Sequence, residues 1–231
     1  MAKRPESDRP GSMALVGPMP PGRPEPVREG PQAFLAVLPG GKGPLRTHFH
    51  RVDQFQFVVY GEATMANHPV HFGHLHFSDR FQPYGPIQPG DDGLTFLTLR
   101  ARTGGGVFYM PDSQPDLAGG LAALPESPGD RRNLVFDLTV EHGVLADHPD
   151  GLRVETMSAA SHESIPEFTV EGAGAYVVVL SGTVDNGNEA VGTGSIAWLD
   201  AGTTVKAQRA GCDGAQLVLL QYPVKPALAM D

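Results

Sequence analysis

The sequence has a single cysteine, Cys212, so no disulfide can form within one chain. That scarcity favours a reducing compartment. No apolar run approaches the ~20 residues that a membrane-spanning helix needs, and the N-terminus lacks the apolar stretch of a signal peptide. From these absences we expect a soluble, cytoplasmic protein that does not bind membranes.

The chain also lacks a block of positive charge. Its formal net charge is −9, and its basic residues are scattered. Nucleic acids and anionic membrane surfaces are bound by clustered Lys and Arg side chains, so this composition argues against both as partners. A small-molecule substrate or ligand is the partner that the composition favours.

Few stretches of the sequence could form long helices, because its 231 residues include 29 Gly and 22 Pro. Runs of β-branched and aromatic residues recur between turn signals, so we expect a mainly β protein, large enough for two small domains. The Pro-rich residues 1–30 are expected to form an extended or disordered arm. Such an arm could wrap a barrel or a second copy of the chain, which leaves a homodimer open.

Histidines open the most informative stretch, Thr47 to Gly61. On an extended strand His48 and His50 lie on the same face. Gln54 then begins an apolar run that ends at Gly61, as expected for the return strand of a hairpin. Imidazole is a common ligand for Zn, Fe, Ni and Cu, and strands hold ligands rigidly. The pattern therefore indicates a metal site, against the alternative of packed or solvent-facing histidines.

This stretch resembles the first motif of the cupins, small β-barrel proteins that usually hold a divalent metal. His48, His50 and Gly61 match that motif, and Gln54 stands where most cupins have Glu. An amide oxygen can ligate a metal but carries no charge, so the site implied by the resemblance would bind a dication more weakly.

In the cupin pattern a further histidine follows a Pro-x-Gly turn, with two residues between the glycine and the histidine. In this sequence Gln88 occupies that position. Three alternatives follow: Gln88 is the ligand, His76 is the ligand instead, or the barrel has lost tight metal binding. We favour His76 because three imidazoles form a known type of site, whereas two Gln ligands would be weak. If His76 is not a ligand, we expect it to line a cavity and to hydrogen-bond to a neighbour.

The second half looks like a weakened copy of the first. Gly182 aligns with Gly61, but Thr169, Glu171 and Ala175 occupy the positions of His48, His50 and Gln54. The resemblance thus predicts two tandem cupin-type jelly-roll β-barrels, the second degenerate. The expected organisation is an arm over 1–30, a metal-binding barrel over 31–110, a linker over 111–132 with a brief helix at 117–124, and the degenerate barrel over 133–231.

Three functions follow from the resemblance. The leading one is a metal-dependent enzyme, first a dioxygenase, with Fe(II) favoured over Zn, Ni or Mn, and with His48, His50, Gln54 and His76 as ligands. The second is a metal-assisted lyase or isomerase in which Tyr60, Tyr84 or a spare histidine moves a proton. The third is a non-catalytic module that binds a small molecule, which the missing acidic ligand supports.

Overall fold

The computed structural model describes residues 13–17, 26–104, 106–125, 131–185, 187 and 189–225. Most of the expected arm, 1–30, lies outside these ranges. Its described residues include the strand Met13–Val16 and the first three residues of Arg28–Leu38, the strand with which it pairs. The chain divides into two compact units, the first ending at Thr139 and the second spanning Val140–Pro226. No described helix combines the length and the apolar character that crossing a bilayer requires.

The first unit is a β-barrel of two sheets. Its elements are β1 (Met13–Val16), β2 (Arg28–Leu38), β3 (His48–Phe49), β4 (Gln54–Met65), β5 (His68–His71), β6 (His74–Ser78), β7 (Ile87–Thr103), β8 (Phe108–Tyr109), α1 (Gln114–Ala123) and β9 (Asn133–Asp137). The larger sheet has the order β1-β2-β7-β4-β6-β9, with β5 paired to β4, and β3 pairs with β8 in the smaller sheet. All of these pairs are antiparallel.

Helix α1 covers the end of the barrel beside β3. Its Leu117 packs in one apolar cluster with Phe49, Phe81 and Phe108. Gly120 lets the helix approach closely, since a Cβ there would lie 2.0 Å from the ring of Phe81. The helix was expected at 117–124, so its presence is confirmed and its start lies three residues earlier, at Gln114.

Strand β9 belongs to the first barrel, although its sequence was expected to open the second. It pairs with β6 along its whole length, from Asn133 beside Ser78 to Asp137 beside His74. Just before it, Arg132 forms an ion pair with the buried carboxylate of Asp79 at 3.0 Å. These contacts attach the segment after the helix to the first sheet.

The second unit repeats the sheet order of the first. Its strands are β10 (Gly143–Asp147), β11 (Arg153–Ala159), β12 (Ser164–Ile165), β13 (Phe168–Thr169), β14 (Ala175–Asp185), β15 (Ala190–Gly192), β16 (Ile196–Leu199), β17 (Thr204–Val205) and β18 (Gln208–Gln221). They follow the order β10-β11-β18-β14, with β15 and β16 both paired to β14, β12 paired to β18, and β13 paired to β17.

Gly61 and Gly182 occupy equivalent positions in the two units. Their φ angles are +76° and +73°. A Cβ on Gly61 would lie 2.0 Å from the carbonyl oxygen of Gly93, and one on Gly182 would lie 2.1 Å from that of Gly214. Both positions therefore require glycine for the same two reasons. The internal repeat predicted from the sequence is confirmed at the level of the backbone.

Candidate functional site

A cavity of about 200 Å³ opens inside the first barrel. Strand alternation supplies its walls, because residues at i, i+2 and i+4 share one face. One side of the cavity is apolar and is lined by Phe34, Ala36 and Leu38 of β2. A second, more polar side is lined by alternate residues of β7, namely Phe96, Thr98 and Arg100. The remaining lining residues are Val37, Pro39, Leu45, His48, His50, Gln54, Gln56, Tyr84, Val107 and Tyr109.

His48 and His50 meet in this cavity as the sequence predicted. Both are buried, and their ring centroids are 5.2 Å apart. The Nδ1 of His48 donates to the carbonyl oxygen of Arg46 at 2.7 Å, and that of His50 donates to the carbonyl oxygen of Gly106 at 2.5 Å. These bonds fix each ring and place the lone pair on Nε2, as in metal-binding histidines.

Tyr84 lies at the centre of the polar end. Its hydroxyl donates to Nε2 of His48 at 3.0 Å, and it accepts a hydrogen bond from the amide nitrogen of Gln54 at 2.5 Å. Two backbone hydrogen bonds between Tyr84 and His48, at 3.1 and 3.0 Å, hold the two residues side by side. The phenol and the imidazole therefore form a fixed proton-sharing pair.

Arg100 brings a positive charge into the same cavity. The residue is 2% exposed. Its guanidinium donates to Oε1 of Gln54 from Nε at 3.1 Å and from Nη2 at 2.9 Å, and to Oε1 of Gln32 from Nη1 at 3.2 Å. Its Nη2 also lies 3.2 Å from Nδ1 of His50. The cation is thus locked against the histidine pair by neutral amide oxygens.

Gln54 was expected to ligate a metal through its amide oxygen. In the structure that oxygen accepts two hydrogen bonds from Arg100, and the amide nitrogen donates to Tyr84. Both ends of the amide are thereby engaged, and Gln54 positions Arg100 and Tyr84 relative to each other. Its side chain would have to leave these partners before it could bind a metal.

His76 is not brought into the set of cavity-lining residues. Its Nδ1 lies 2.9 Å from Oε1 of Gln56, its neighbour across the strands, and its Nε2 bonds to Oδ1 of Asn133 on β9. Burial lowers the pKa of His76 from 6.5 to about 4, partly offset by the bond to Asn133, so the ring is neutral at pH 7. A neutral imidazole carries one N–H, so one of the two amides donates to it through its NH2 group. This is the hydrogen-bonded alternative that the sequence left open.

Two other candidates lie outside the cavity. Tyr60, expected to move a proton, is 59% exposed and does not line the cavity. Gln88, the alternative fourth ligand, is exposed on β7 and donates to the carbonyl oxygens of Lys42 and Pro89. The structure therefore brings together His48, His50, Gln54 and Tyr84, and leaves Tyr60 and Gln88 apart from them. His76 does not line the cavity but packs against Tyr84, with ring centroids 4.9 Å apart.

The second barrel has a larger cavity, about 360 Å³. In the part of the chain that the structure describes, its lining is mostly aliphatic and includes no histidine. Thr169, Glu171 and Ala175 are absent from that lining. The cavity offers one acidic and one basic side chain, Glu189 and Lys206. Among the described lining residues, none forms a histidine and arginine group like the polar end of the first cavity.

Sequence reasoning missed Arg100, Gln56 and Tyr109. Arg100 could have been found, because it falls in phase with Phe96 and Thr98 on a strand whose inward face was predictable. Gln56 carries a similar signal two residues after Gln54. Tyr109 pairs with His48 across β3 and β8, a contact that depends on how the chain returns after β7.

Solved structures with similar folds include a provisionally assigned dioxygenase from Nostoc punctiforme, with a TM-score of 0.61 and 14% identity over 87% of this chain and 72% of the other. The bacterial pirin of Escherichia coli, in complex with nickel(II), gives a TM-score of 0.58 and 11% identity over 92% of both chains. Salicylate 1,2-dioxygenase from Pseudoaminobacter salicylatoxidans, with gentisate, gives 0.52 and 13% over 82% and 67%.

The protein has the tandem cupin fold. No protein-family model and no curated protein matches the sequence. The expected fold class, mainly β with two cupin barrels, is confirmed. At these identities the likeness concerns the fold alone, so function has to be argued from the cavity.

The cupin cavity fits a metal only in part. His48 and His50 are oriented as metal ligands are, through carbonyl-bound Nδ1 atoms. Among the described residues, however, no set of three His, Cys, Asp or Glu side chains comes together here, and Arg100 places a cation beside the pair. A dication would be bound by two imidazoles and, at most, the phenol of Tyr84.

Proposed function

We propose that the first cupin barrel binds a small organic anion, with its carboxylate or enolate oxygens held by Arg100. The observation that carries the proposal is the charge of the lining. Among the described residues, the cavity wall includes one guanidinium and no carboxylate. In the structure the guanidinium donates to the amide oxygen of Gln54, and an oxyanion that took the place of this amide would accept paired, charge-assisted hydrogen bonds from it.

The size of the cavity limits the ligand. About 200 Å³ is below the roughly 300–1,000 Å³ of pockets that hold drug-sized molecules. The aliphatic and aromatic side chains of β2 and β7 suit a compact apolar body, and the polar end suits one or two oxygens. A small aromatic or branched carboxylic acid has this shape.

The pair formed by Tyr84 and His48 adds acid–base capacity. The hydroxyl of Tyr84 donates to Nε2 of His48, so a proton can move from the phenol to the ring while Arg46 holds Nδ1. An anionic ligand oxygen bound near Arg100 would place a negative charge close to this proton. This arrangement supports proton transfer at an atom next to a carbonyl group, the chemistry of lyases and isomerases.

Binding of benzoate and 2-hydroxybenzoate, measured by calorimetry against neutral benzamide, tests the proposal. Arg100→Gln should weaken carboxylate binding about 10- to 100-fold, the range for a hydrogen bond to a charged group. Arg102→Gln is the matched control, because Arg102 lies on the same strand and pairs with the exposed Glu29. Arg100→Lys keeps the charge and should lose less affinity than Arg100→Gln.

Equal binding of benzoate and benzamide by the wild-type protein would contradict the proposal. So would an Arg100→Gln variant that keeps its fold by circular dichroism and binds benzoate as tightly as Arg102→Gln does.

A metal-dependent dioxygenase is the second candidate function. The carbonyl-oriented rings of His48 and His50 favour it, and two of the similar structures are described as dioxygenases. A metal bound there would supply open positions for substrate oxygens and O2. His48 and His50 would hold it, and Arg100 would orient an anionic substrate.

Elemental analysis of protein purified without added metal separates the two candidates, and it is made in a His74→Gln background because His74 belongs to a separate group of possible ligands at the surface. A metal enzyme should carry about one equivalent, and His48→Ala and His50→Ala should each abolish it while the fold is retained. Metal well below one equivalent, together with retained benzoate binding, supports the anion site alone. Addition of O2 to anaerobic, Fe(II)-loaded protein then tests the oxygenase.

A further inference from the structure

A second group of metal-ligating side chains lies at the surface of the first barrel. It consists of His71, His74 and Asp137, each of which places one ligand atom within 4.8 Å of the other two. The two imidazole rings meet edge to face with centroids 4.0 Å apart. None of the three residues lines the cavity, and none takes part in the anion site.

The fold brings these residues together from three strands. His71 ends β5 and His74 begins β6, so a two-residue turn joins them. Gly73 in that turn has a φ of +91°, which favours glycine. Asp137 ends β9 and lies directly opposite His74 in the antiparallel pair, so their side chains share one face of the sheet. The cluster thus depends on strand register, which is rigid.

Neighbouring backbone atoms orient the two rings. The Nδ1 of His71 donates to the carbonyl oxygen of Phe72 at 3.0 Å, which leaves the lone pair on Nε2, as in ligating histidines. The Nδ1 of His74 lies 3.2 Å from both the backbone nitrogen and the carbonyl oxygen of His71, so it accepts from the first in one tautomer and donates to the second in the other. Either tautomer leaves one ring nitrogen of His74 with a lone pair.

Asp137 is held as a charged ligand. Its Oδ1 accepts hydrogen bonds from the backbone nitrogen and the hydroxyl of Thr139, at 3.0 and 2.6 Å. These two bonds hold the carboxylate in place, and an aspartate carboxylate is anionic at neutral pH, so the group is suited to bind a cation.

We propose that His71, His74 and Asp137 form a surface site for a borderline transition-metal dication such as Zn²⁺. Two imidazoles and one carboxylate are the donors that such ions take, and at bond lengths of about 2.0–2.2 Å two ligand atoms of a tetrahedral ion lie roughly 3.4 Å apart. The present separations are within 4.8 Å, so the three side chains would rotate toward one another to bind one ion. The fourth position falls to water, because the cluster is open to solvent.

The bound ion would fasten β9 to the β5–β6 turn. The opposite end of β9 supplies Asn133, which bonds to His76. A metal that binds the native protein and not the unfolded chain stabilises it by mass action. The site would therefore act as a clamp on the last strand of the first barrel, separate from any chemistry in the cavity.

Calorimetric titration of the full-length apo-protein with Zn²⁺ tests the site, with thermal unfolding at each metal concentration as a second readout. Wild-type protein should bind Zn²⁺ and show a rising Tm. His71→Gln, His74→Gln and Asp137→Asn should each weaken this binding by more than the roughly 10- to 100-fold that loss of an orienting partner costs. His68→Gln removes another exposed histidine of β5 and is the matched control.

Electron paramagnetic resonance of the Cu²⁺-loaded protein should show two imidazole nitrogens, reduced to one in His71→Gln and His74→Gln and unchanged in His50→Ala. This separates the surface site from the cavity. A wild-type protein with no Zn²⁺-dependent rise in Tm would overturn the proposal. Equal Zn²⁺ affinity in His74→Gln and His68→Gln, with both variants folded, would overturn it as well.

Discussion

Arg100 donates two hydrogen bonds to the amide oxygen of Gln54, at 3.1 and 2.9 Å. A carboxylate in that place would neutralise the guanidinium, whereas the amide holds it and leaves the positive charge in the cavity. Gln54, one of the two residues by which this sequence departs from the cupin pattern, is therefore the residue that holds the positive charge in the cavity.

Replacement of Gln54 by Glu should convert the anion site toward a metal site. The new carboxylate would pair with Arg100 and add a negative charge beside His48 and His50, so benzoate affinity should fall and Zn²⁺ or Fe(II) affinity at the cavity should rise. Calorimetric titration of both ligands into both proteins measures this, in a His74→Gln background so that only the cavity is compared.

Gln32→Glu separates the two effects, because Gln32 also accepts from Arg100 but does not line the cavity. Its carboxylate should lower benzoate affinity as well, without raising metal affinity at the cavity. Unchanged benzoate and metal affinities in Gln54→Glu would remove Gln54 from any role in setting the charge of the cavity.

Loss of the Tyr84 hydroxyl should destabilise the protein and alter the cavity. Tyr84→Phe leaves the amide nitrogen of Gln54 without its acceptor in a buried position, which costs about 1–3 kcal/mol. Urea unfolding measures this cost. If the hydroxyl is also the proton donor to His48, any turnover should fall far more than ligand affinity does. Tyr60→Phe, at an exposed tyrosine, should change neither quantity.

The stability of the protein should depend on pH through His76. Its folded-state pKa is about 4, against 6.5 for an ordinary histidine. Between these values the unfolded chain binds more protons than the folded one, so the free energy of unfolding falls as pH decreases from 6.5 to 4. The full loss is at most roughly 3 kcal/mol, and none arises above pH 6.5.

Urea unfolding of wild type and His76→Gln between pH 4 and 8 checks the assignment. Removal of the titrating ring should flatten the slope between pH 4 and 6.5. The same slope in both proteins would show that His76 is protonated in the native state or that other groups dominate.

The close approach at Gly61 should make that position far less tolerant than a glycine with a similar φ in open space. Gly61→Ala meets both a positive φ and the carbonyl oxygen of Gly93, whereas Gly41→Ala meets a φ of +67° with no atom within 4 Å of its Cβ. Gly41→Ala should cost about 1 kcal/mol, and Gly61→Ala clearly more. Thermal unfolding of the two variants measures the difference.

Much of the fold followed from the sequence because its signals are local. Strand alternation placed β4 and β6, and the spacing of His48, His50 and Gly61 led to the cupin barrel. The repeat was visible because Gly61 and Gly182 both have a positive φ and both lie close to a carbonyl oxygen, so each position requires glycine.

The site was less accessible because it depends on pairings between distant segments. Tyr84 was selected from its place beside a turn, but its bond to Gln54 depends on where that turn lies over β4. His76 was favoured as a ligand because three imidazoles form a known type of metal site. Its partner Asn133 comes from β9, and no local signal indicated that this strand pairs with the first sheet.

The position of β9 also bears on how the first barrel is made. Until residue 137 has left the ribosome, β6 presents an unpaired edge, His76 lacks Asn133 and the buried carboxylate of Asp79 lacks Arg132. Unpaired edges of this kind recruit other strands. A nascent chain that pauses before β9 is thus an aggregation hazard, and an expression boundary drawn near residue 130 would make that hazard permanent.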